Sequence, residues 1–255
     1  MRSRLPCFRI LLCLLASLAI AQWISITMAI WLLALLSFAA LREYLSLADL
    51  RPEDRWAMLA AYVSIPFLFY LVQVDWYGFF IVSIPVYVFV IVPFLVALGG
   101  KEARGSVFSA GAIDLGLFLF VYCLGHLAYL ARASTALALF LVLGVLVSDV
   151  IDRQMARFGA GWPLKLAVAI LPVLGLAYIL GKPDALPVKE TVFMAGLLPV
   201  LVLMGNFTLL KMESDLGIDR DEIEPGRGRL IDGMRALLFP APVIFHFLRY
   251  FTDVL

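Results

Sequence analysis

The sequence predicts an all-α polytopic membrane protein, with about eight transmembrane helices and a further C-terminal apolar helix, and three observations predict it. Hydrophobic residues make up 64% of the chain and charged ones 15%, where a soluble domain carries roughly a quarter charged residues. Apolar runs of the length that crosses a bilayer, about 20 residues, recur between polar breaks. Positive charge is dense in every second break and sparse in the others, as the positive-inside rule requires.

Cut at its charges and its Pro and Gly residues, the chain gives spans at 9–24, 26–41, 57–73, 77–98, 112–131, 135–151, 164–181 and 190–210, then a last apolar stretch at 236–251 interrupted by Arg249. Residues 10–41 carry no charge, so the first two spans could also be one long tilted helix. Charge parity favours a hairpin turning near Gln22 and Trp23. With the N-terminus inside, the inner set then holds Arg2, Arg4 and Arg9; Arg42, Arg51 and Arg55; Lys101 and Arg104; Arg153, Arg157 and Lys165; and Lys211, Arg220, Arg227, Arg229 and Arg235. Only Arg132, Lys182 and Lys189 fall outside. A cleaved signal peptide over residues 1–21, ending at Ala19-Ile20-Ala21, is the rival for the first span. The long apolar run that follows at once favours the hairpin.

Residues 1–255 thus read as a single integral membrane domain with a polar cytoplasmic loop at 211–235. Prolines 66, 85, 93, 172 and 199 fall inside spans, where each frees a carbonyl that a neighbouring helix must satisfy, so kinks are expected. Trp56, Trp76, Tyr77 and Trp162 lie near span ends and fit an interfacial aromatic belt.

Composition excludes several classes of function. Lys plus Arg is 20 against 19 for Asp plus Glu, and no basic patch interleaved with aromatics appears, which argues against nucleic acid. Cys7, Cys13 and Cys123 show no metal-ligand spacing and read as buried free thiols. The two histidines, His126 and His246, offer little to a catalytic triad or zinc site. His126, beside Tyr122 and Tyr129, reads better as an interhelical hydrogen bond, and His246 as packing.

Polar chemistry gathers in two places. Asp149 and Asp152 are spaced i, i+3, which sets both carboxylates on one helix face near the interface. They could hold a divalent ion, although spacing alone favours a helix end that pairs its acid with Arg153. The stretch from Lys211 to Arg235 is the most charged of the chain. Asp215, Asp219, Asp221, Glu222 and Glu224 supply hard oxygen ligands suited to magnesium. Gly226, Arg227, Gly228 and Arg229 offer backbone N–H groups and guanidinium groups suited to phosphate. A solvated loop of mixed charge beside an anionic leaflet has the same composition.

At these residues the chain resembles the phosphatidate cytidylyltransferase (CDP-diacylglycerol synthase) family. The matching stretch is Gly205-Asn206-Phe207, Lys211, Asp215, Leu216-Gly217-Ile218, Pro225-Gly226, Gly228, Asp232 and Pro240-Ala241-Pro242. Upstream, Leu41-Arg42-Glu43-Tyr44-Leu45, Trp76-Tyr77-Gly78-Phe79-Phe80, Tyr122-Cys123-Leu124-Gly125-His126 and Ser148-Asp149-Val150 resemble a bacterial subgroup of it. The departures fall on polar positions. Met212 stands for the family's Arg, Arg227 for its His, Arg229 for its second Gly, and Asp232-Gly233-Met234-Arg235 for its D-R-x-D. The family's S-P-x-K-T-x-E-G loop is missing, because Phe158-Gly159 runs straight into Ala160-Gly161.

The resemblance implies transfer of a cytidylyl group from CTP to phosphatidate in phospholipid biosynthesis, at a bacterial inner (cytoplasmic) membrane with the polar loops on the cytoplasmic side. It implies Mg2+ as cofactor, Asp149, Asp219 and Asp232 as metal ligands, and Lys211 and Asp232 as catalytic residues. Lys211, Gly226, Arg227, Gly228 and Arg229 would hold phosphate or lipid. The implied partners are CTP, phosphatidate and anionic membrane lipid, and a homodimer is allowed. The eroded motif supports an alternative, a catalytically inactive homologue that binds acidic phospholipid or a partner enzyme, because Arg235 would repel a second metal ion yet attract a headgroup. A transporter of lipid or small solute is a third reading, suggested only by the proline-kinked spans.

Overall fold

The computed structural model describes residues 24–99, 103–181, 186–218 and 228–252. Among them there is no strand, and eight stretches are long and apolar enough to cross a membrane. These are α1 (Ile26–Leu47), α2 (Arg55–Gln73, entered by a 3-10 turn at Pro52–Asp54), α3 (Tyr77–Gly99), α4 (Ser106–Ala133), α5 (Thr135–Arg157), α6 (Trp162–Leu180), α7 (Val188–Asp215), and the pair α8 (Arg229–Leu238) and α9 (Pro240–Phe251). The protein is a polytopic α-helical bundle. The expected first span at 9–24 and the signal-peptide rival lie outside the described residues.

Local chemistry sets the helix ends. The Ser134 hydroxyl accepts from the Leu137 N–H at 3.2 Å and caps α5. Gly161 and Pro163 open α6, with proline in the first turn where its missing N–H costs nothing. Helix α7 closes on Gly217, whose φ of 71° lets the Ile218 N–H return to the Glu213 carbonyl at 2.9 Å. Several helices run a turn or more past the expected spans. Apolarity marks the depth of the hydrocarbon, whereas the helix continues wherever its polar residues find partners, as Asp149, Asp152 and Arg153 do in α5.

Helix α4 sits at the centre, with every residue from Cys123 to Ala131 buried. Helix α6 is peripheral and docks on α5 and α7 through Ala169, Val173 and Ala177, one every four residues. Outward-facing Phe94, Leu171 and Phe193 are exposed on the bundle surface, as lipid-facing residues are. Trp56 and Trp162 are exposed at one end of the bundle and Trp76 at the other, in keeping with the expected aromatic belt.

Two stretches of π-helix, Ser83–Val88 in α3 and Leu117–Tyr122 in α4, meet across the bundle. Proline at 85 has no N–H to give the Ile81 carbonyl, so that carbonyl takes the Tyr122 hydroxyl from α4 instead, at 2.9 Å. The Phe120 carbonyl, in the other π stretch, accepts from the Ser37 hydroxyl of α1 at 2.7 Å. The proline-freed carbonyl is thus closed by a neighbouring helix, as expected.

The last apolar stretch crosses the whole bundle. It begins where Glu43 of α1 meets Arg229 and Leu230, and it ends where Tyr250 meets Tyr77 of α3. Its two halves join at Phe239-Pro240. Of the expected polar loop at 211–235, residues 211–215 finish α7 and 229–235 open α8, while 219–227 lie outside the described residues.

Candidate functional site

The bundle has two polar ends, and most of its charge lies at one of them. Helix α5 brings Asp149 and Asp152 there, α6 brings Lys165, α7 brings Asn206 and Glu213, and α8 brings Asp232 and Arg235. One amide ties the group together. The Asn206 Nδ2 donates to Asp149 Oδ1 and Asp152 Oδ2, both at 3.0 Å, while its Oδ1 accepts from the Arg235 Nε at 3.1 Å. The i, i+3 carboxylates of α5 therefore do share a face, and they share a donor.

Arg235 is the second pivot. Its Nη1 donates to Asp232 Oδ1 at 2.6 Å and to Glu213 Oε2 at 3.2 Å, with all three side chains buried. At the rim, the Arg153 Nε donates to Asp149 Oδ2 at 2.8 Å and the Lys165 Nζ to Asp152 Oδ1 at 2.7 Å. Four carboxylates face three cations, so the hub is close to neutral, as a buried ionic group must be. Gly205 allows the close approach of α7 to α8: a Cβ there would stand 3.1 Å from the Arg235 carbonyl oxygen.

A second contact fixes the start of α8. The Glu43 carboxylate accepts from the backbone N–H groups of Arg229 at 2.8 Å and Leu230 at 2.6 Å, which caps the helix and opposes its positive end. Gly228 precedes it at a φ of 87°, and the side chain of Ile218 fills the space a Cβ would take. Arg51 pins the same end. It pairs with Asp54 at 2.7 Å and donates to the carbonyls of Val96 and Arg104. The bond to Asp54 raises the pKa of the Arg51 guanidinium above its ordinary value.

The expected site residues divide into four groups. Asp149 and Asp232 belong to one network, joined through Asn206 and Arg235. Lys211 is exposed and lines a cavity with Glu213, Ser214 and Gly217, with a volume of 640 Å3. Glu213 lines that cavity and also belongs to the network. Gly228 and the backbone of Arg229 serve the start of α8, where the N–H expected to meet phosphate is held by Glu43. Asp219, Gly226 and Arg227 lie outside the described residues.

Sequence reading passed over Glu43, Lys165, Asn206 and Glu213 as site residues. It named Asp215, which is exposed, and omitted Glu213, which is buried. Helical periodicity was the available signal, because Asn206, Leu209 and Glu213 fall on one face of α7.

Among the described residues, no group of three His, Cys, Asp or Glu side chains is placed to hold a metal ion. Arg235 and Asn206 occupy the space between Asp149 and Asp232, so these two acids alone do not fit a magnesium site.

Beside the hub lies a cavity of 480 Å3 between α6 and α7. Its walls are apolar, with Trp162, Leu166, Leu203, Met204, Phe207 and Leu210, and it reaches Asp152, Lys165 and Asn206. An apolar trough that ends on fixed charges is suited to an amphiphile.

At the opposite end, the Nε2 atoms of His126 and His246 are 3.1 Å apart. His126 thus makes the expected interhelical hydrogen bond, and His246, read as packing, is its partner. Cys123 is buried with a free thiol, as expected.

Fold and hub together define a multi-pass helical membrane protein with a closed ionic network at one end. The chain is similar to the "uncharacterized protein YnbB" of Escherichia coli (strain K12), with 27% identity over 262 residues that cover 94% of this chain and 84% of that protein. No family model and no solved structure matches it.

Proposed function

We infer that the chain is a phosphatidate cytidylyltransferase-type membrane protein of phospholipid biosynthesis, which takes an acidic phospholipid at its hub end. The observation that carries this reading is the apolar cavity between α6 and α7 that closes on Asp152, Lys165 and Asn206. An acyl chain fits its walls, and a phosphate headgroup can take the Lys165 ammonium in exchange for Asp152. The motif of Asn206, Lys211, Gly228 and Asp232 adds its resemblance. The hub end gathers the described members of the basic inner set, which supports a cytoplasmic hub in a bacterial inner membrane.

In the transfer reaction, a phosphatidate oxygen attacks the α-phosphorus of CTP as the bond to the pyrophosphate oxygen breaks, and pyrophosphate leaves. Lys211, which lines a cavity with Ser214, would meet phosphate oxygens. A second reading, a homologue that binds phosphatidate without transfer, is favoured by one observation: the Arg235 guanidinium already pairs with Asp232 and Glu213, where a metal ion would need them.

The two readings separate in one assay. Purified protein is given phosphatidate, CTP and Mg2+, with Asp232→Ala and Lys165→Ala beside it. CDP-diacylglycerol formation that Asp232→Ala abolishes establishes transfer. No product, with phosphatidate binding that Lys165→Ala weakens, establishes the binding protein. Absence of both overturns the proposal, and flux across liposomes without CTP or Mg2+ would replace it with a transporter.

A further inference from the structure

At the end of the bundle away from the hub, four stretches distant in sequence wall a cavity of 540 Å3. They are the start of α1 at Ile26, the α2–α3 turn with Asp75 and Tyr77, the end of α4 with Tyr129 and Arg132, and α9 with Phe245 and Arg249. That volume lies in the range of small-molecule sites, about 300–1,000 Å3.

The charges in this cavity are incompletely matched. The Arg132 Nε stands 3.7 Å from Asp75 Oδ1, close enough for an ion pair and too far for a hydrogen bond. The Arg249 guanidinium carbon lies 4.8 Å over the centre of the Tyr77 ring, a contact that orients the cation without using its N–H donors. Among the described residues, two guanidinium groups face one carboxylate at this cavity, and one positive charge is left over.

The single acid is itself fixed. Asp75 accepts from the Tyr129 hydroxyl at 2.5 Å and holds a backbone φ of 61°, the one positive-φ residue other than glycine among those described. That conformation closes α2, with the Trp76 N–H returning to the Leu71 carbonyl at 3.0 Å and the Asp75 N–H to the Val72 carbonyl at 3.2 Å, so the turn holds the carboxylate at the cavity wall. The Tyr77 hydroxyl lies 3.2 Å from that of Tyr250, so the ring beneath Arg249 is fixed as well. Simple interfacial anchors would extend separately toward water. Here both arginines line one cavity, each set by a partner that leaves its donors open.

We propose that this cavity is an anion site for a phosphodiester, independent of the hub. One diester charge balances the surplus, the guanidinium forks suit paired phosphate oxygens, and Ile26 and Phe245 face the organic part. A phospholipid headgroup of that leaflet and a water-soluble diester share this chemistry.

The test uses the full chain in neutral detergent and isothermal titration with dihexanoyl phosphatidylglycerol, dimethyl phosphate and acetate. The variants are Arg132→Gln with Arg249→Gln, and Asp75→Asn, each built also on Lys165→Ala to remove uptake at the hub. Diester binding should weaken about tenfold or more in the double-arginine variant, as expected when charged hydrogen bonds are lost. It should tighten in Asp75→Asn, because the competing carboxylate is gone, a change of sign that a purely structural role would not give. Binding of phosphatidylglycerol alone assigns the site to a lipid headgroup, and equal binding of dimethyl phosphate assigns it to a soluble diester. Equal binding of acetate, no diester binding, or affinity unchanged in the double-arginine variant overturns the proposal. If that variant does not fold, Asp75→Asn decides by its sign, and unchanged or weaker binding overturns the proposal.

Discussion

The two ends of this bundle handle charge in opposite ways. At the hub end, Asp149, Asn206, Glu213, Asp232 and Arg235 are buried, and an unbroken chain of hydrogen bonds joins α5, α7 and α8. At the far end, Asp75 and Arg132 are partly open, with side chains 59% and 30% exposed, and their contact is a loose 3.7 Å. A closed network fixes geometry and is costly to interrupt, whereas an open one keeps its donors for something else. Stability should therefore depend most on the buried part of the first end, at Arg235 and Asn206, and exchangeable binding on its rim at Lys165 and on the second end.

The largest expected effect is at the pivot. Arg235→Ala leaves Asp232 and Glu213 buried without their cation, which costs about 3–5 kcal/mol, read as a fall in thermal unfolding temperature in detergent. Asn206→Leu comes next, since it leaves two aspartates and a guanidinium each short of a partner; about 1–3 kcal/mol is expected for an orphaned buried group, by the same measurement. Glu43→Ala removes the cap of α8 and should cost about 1 kcal/mol, with faster amide exchange at Arg229 and Leu230. The smallest effect belongs to the far end. Arg132→Ala should change stability by less than about 1 kcal/mol, as exposed pairs do. If Arg132→Ala matched Arg235→Ala, the contrast between the ends would fail.

The spans were legible because a bilayer demands long apolar runs, and each run expected from residue 26 onward falls on a described helix or, for 236–251, on the pair α8 and α9, to within one residue. Their ends were not, because the last turns of α5 and α7 carry charges that a hydropathy reading assigns to loops. Asp149 and Asp152 were found by spacing, and their common partner Asn206, 54 residues beyond Asp152, was not, since no local pattern records a contact between helices. Asp232 and Arg235 lie one turn apart and read as a charged loop. They are buried because Glu213 and Asn206 complete them, and that fact belongs to the packing. Arg249 looked like a flaw in an apolar stretch, and its place over Tyr77 follows only once α9 is known to reach the far end.

The bond from Tyr122 to the Ile81 carbonyl bears on how the chain enters the membrane. Proline at 85 commits α3 to an unsatisfied carbonyl in the hydrocarbon, at a cost of several kcal/mol, for as long as it stands alone. Its remedy is carried by the next helix to be synthesised. Spans α3 and α4 should accordingly leave the insertion machinery as a hairpin, and Tyr122→Phe should delay the maturation of α3 more than it harms the finished fold.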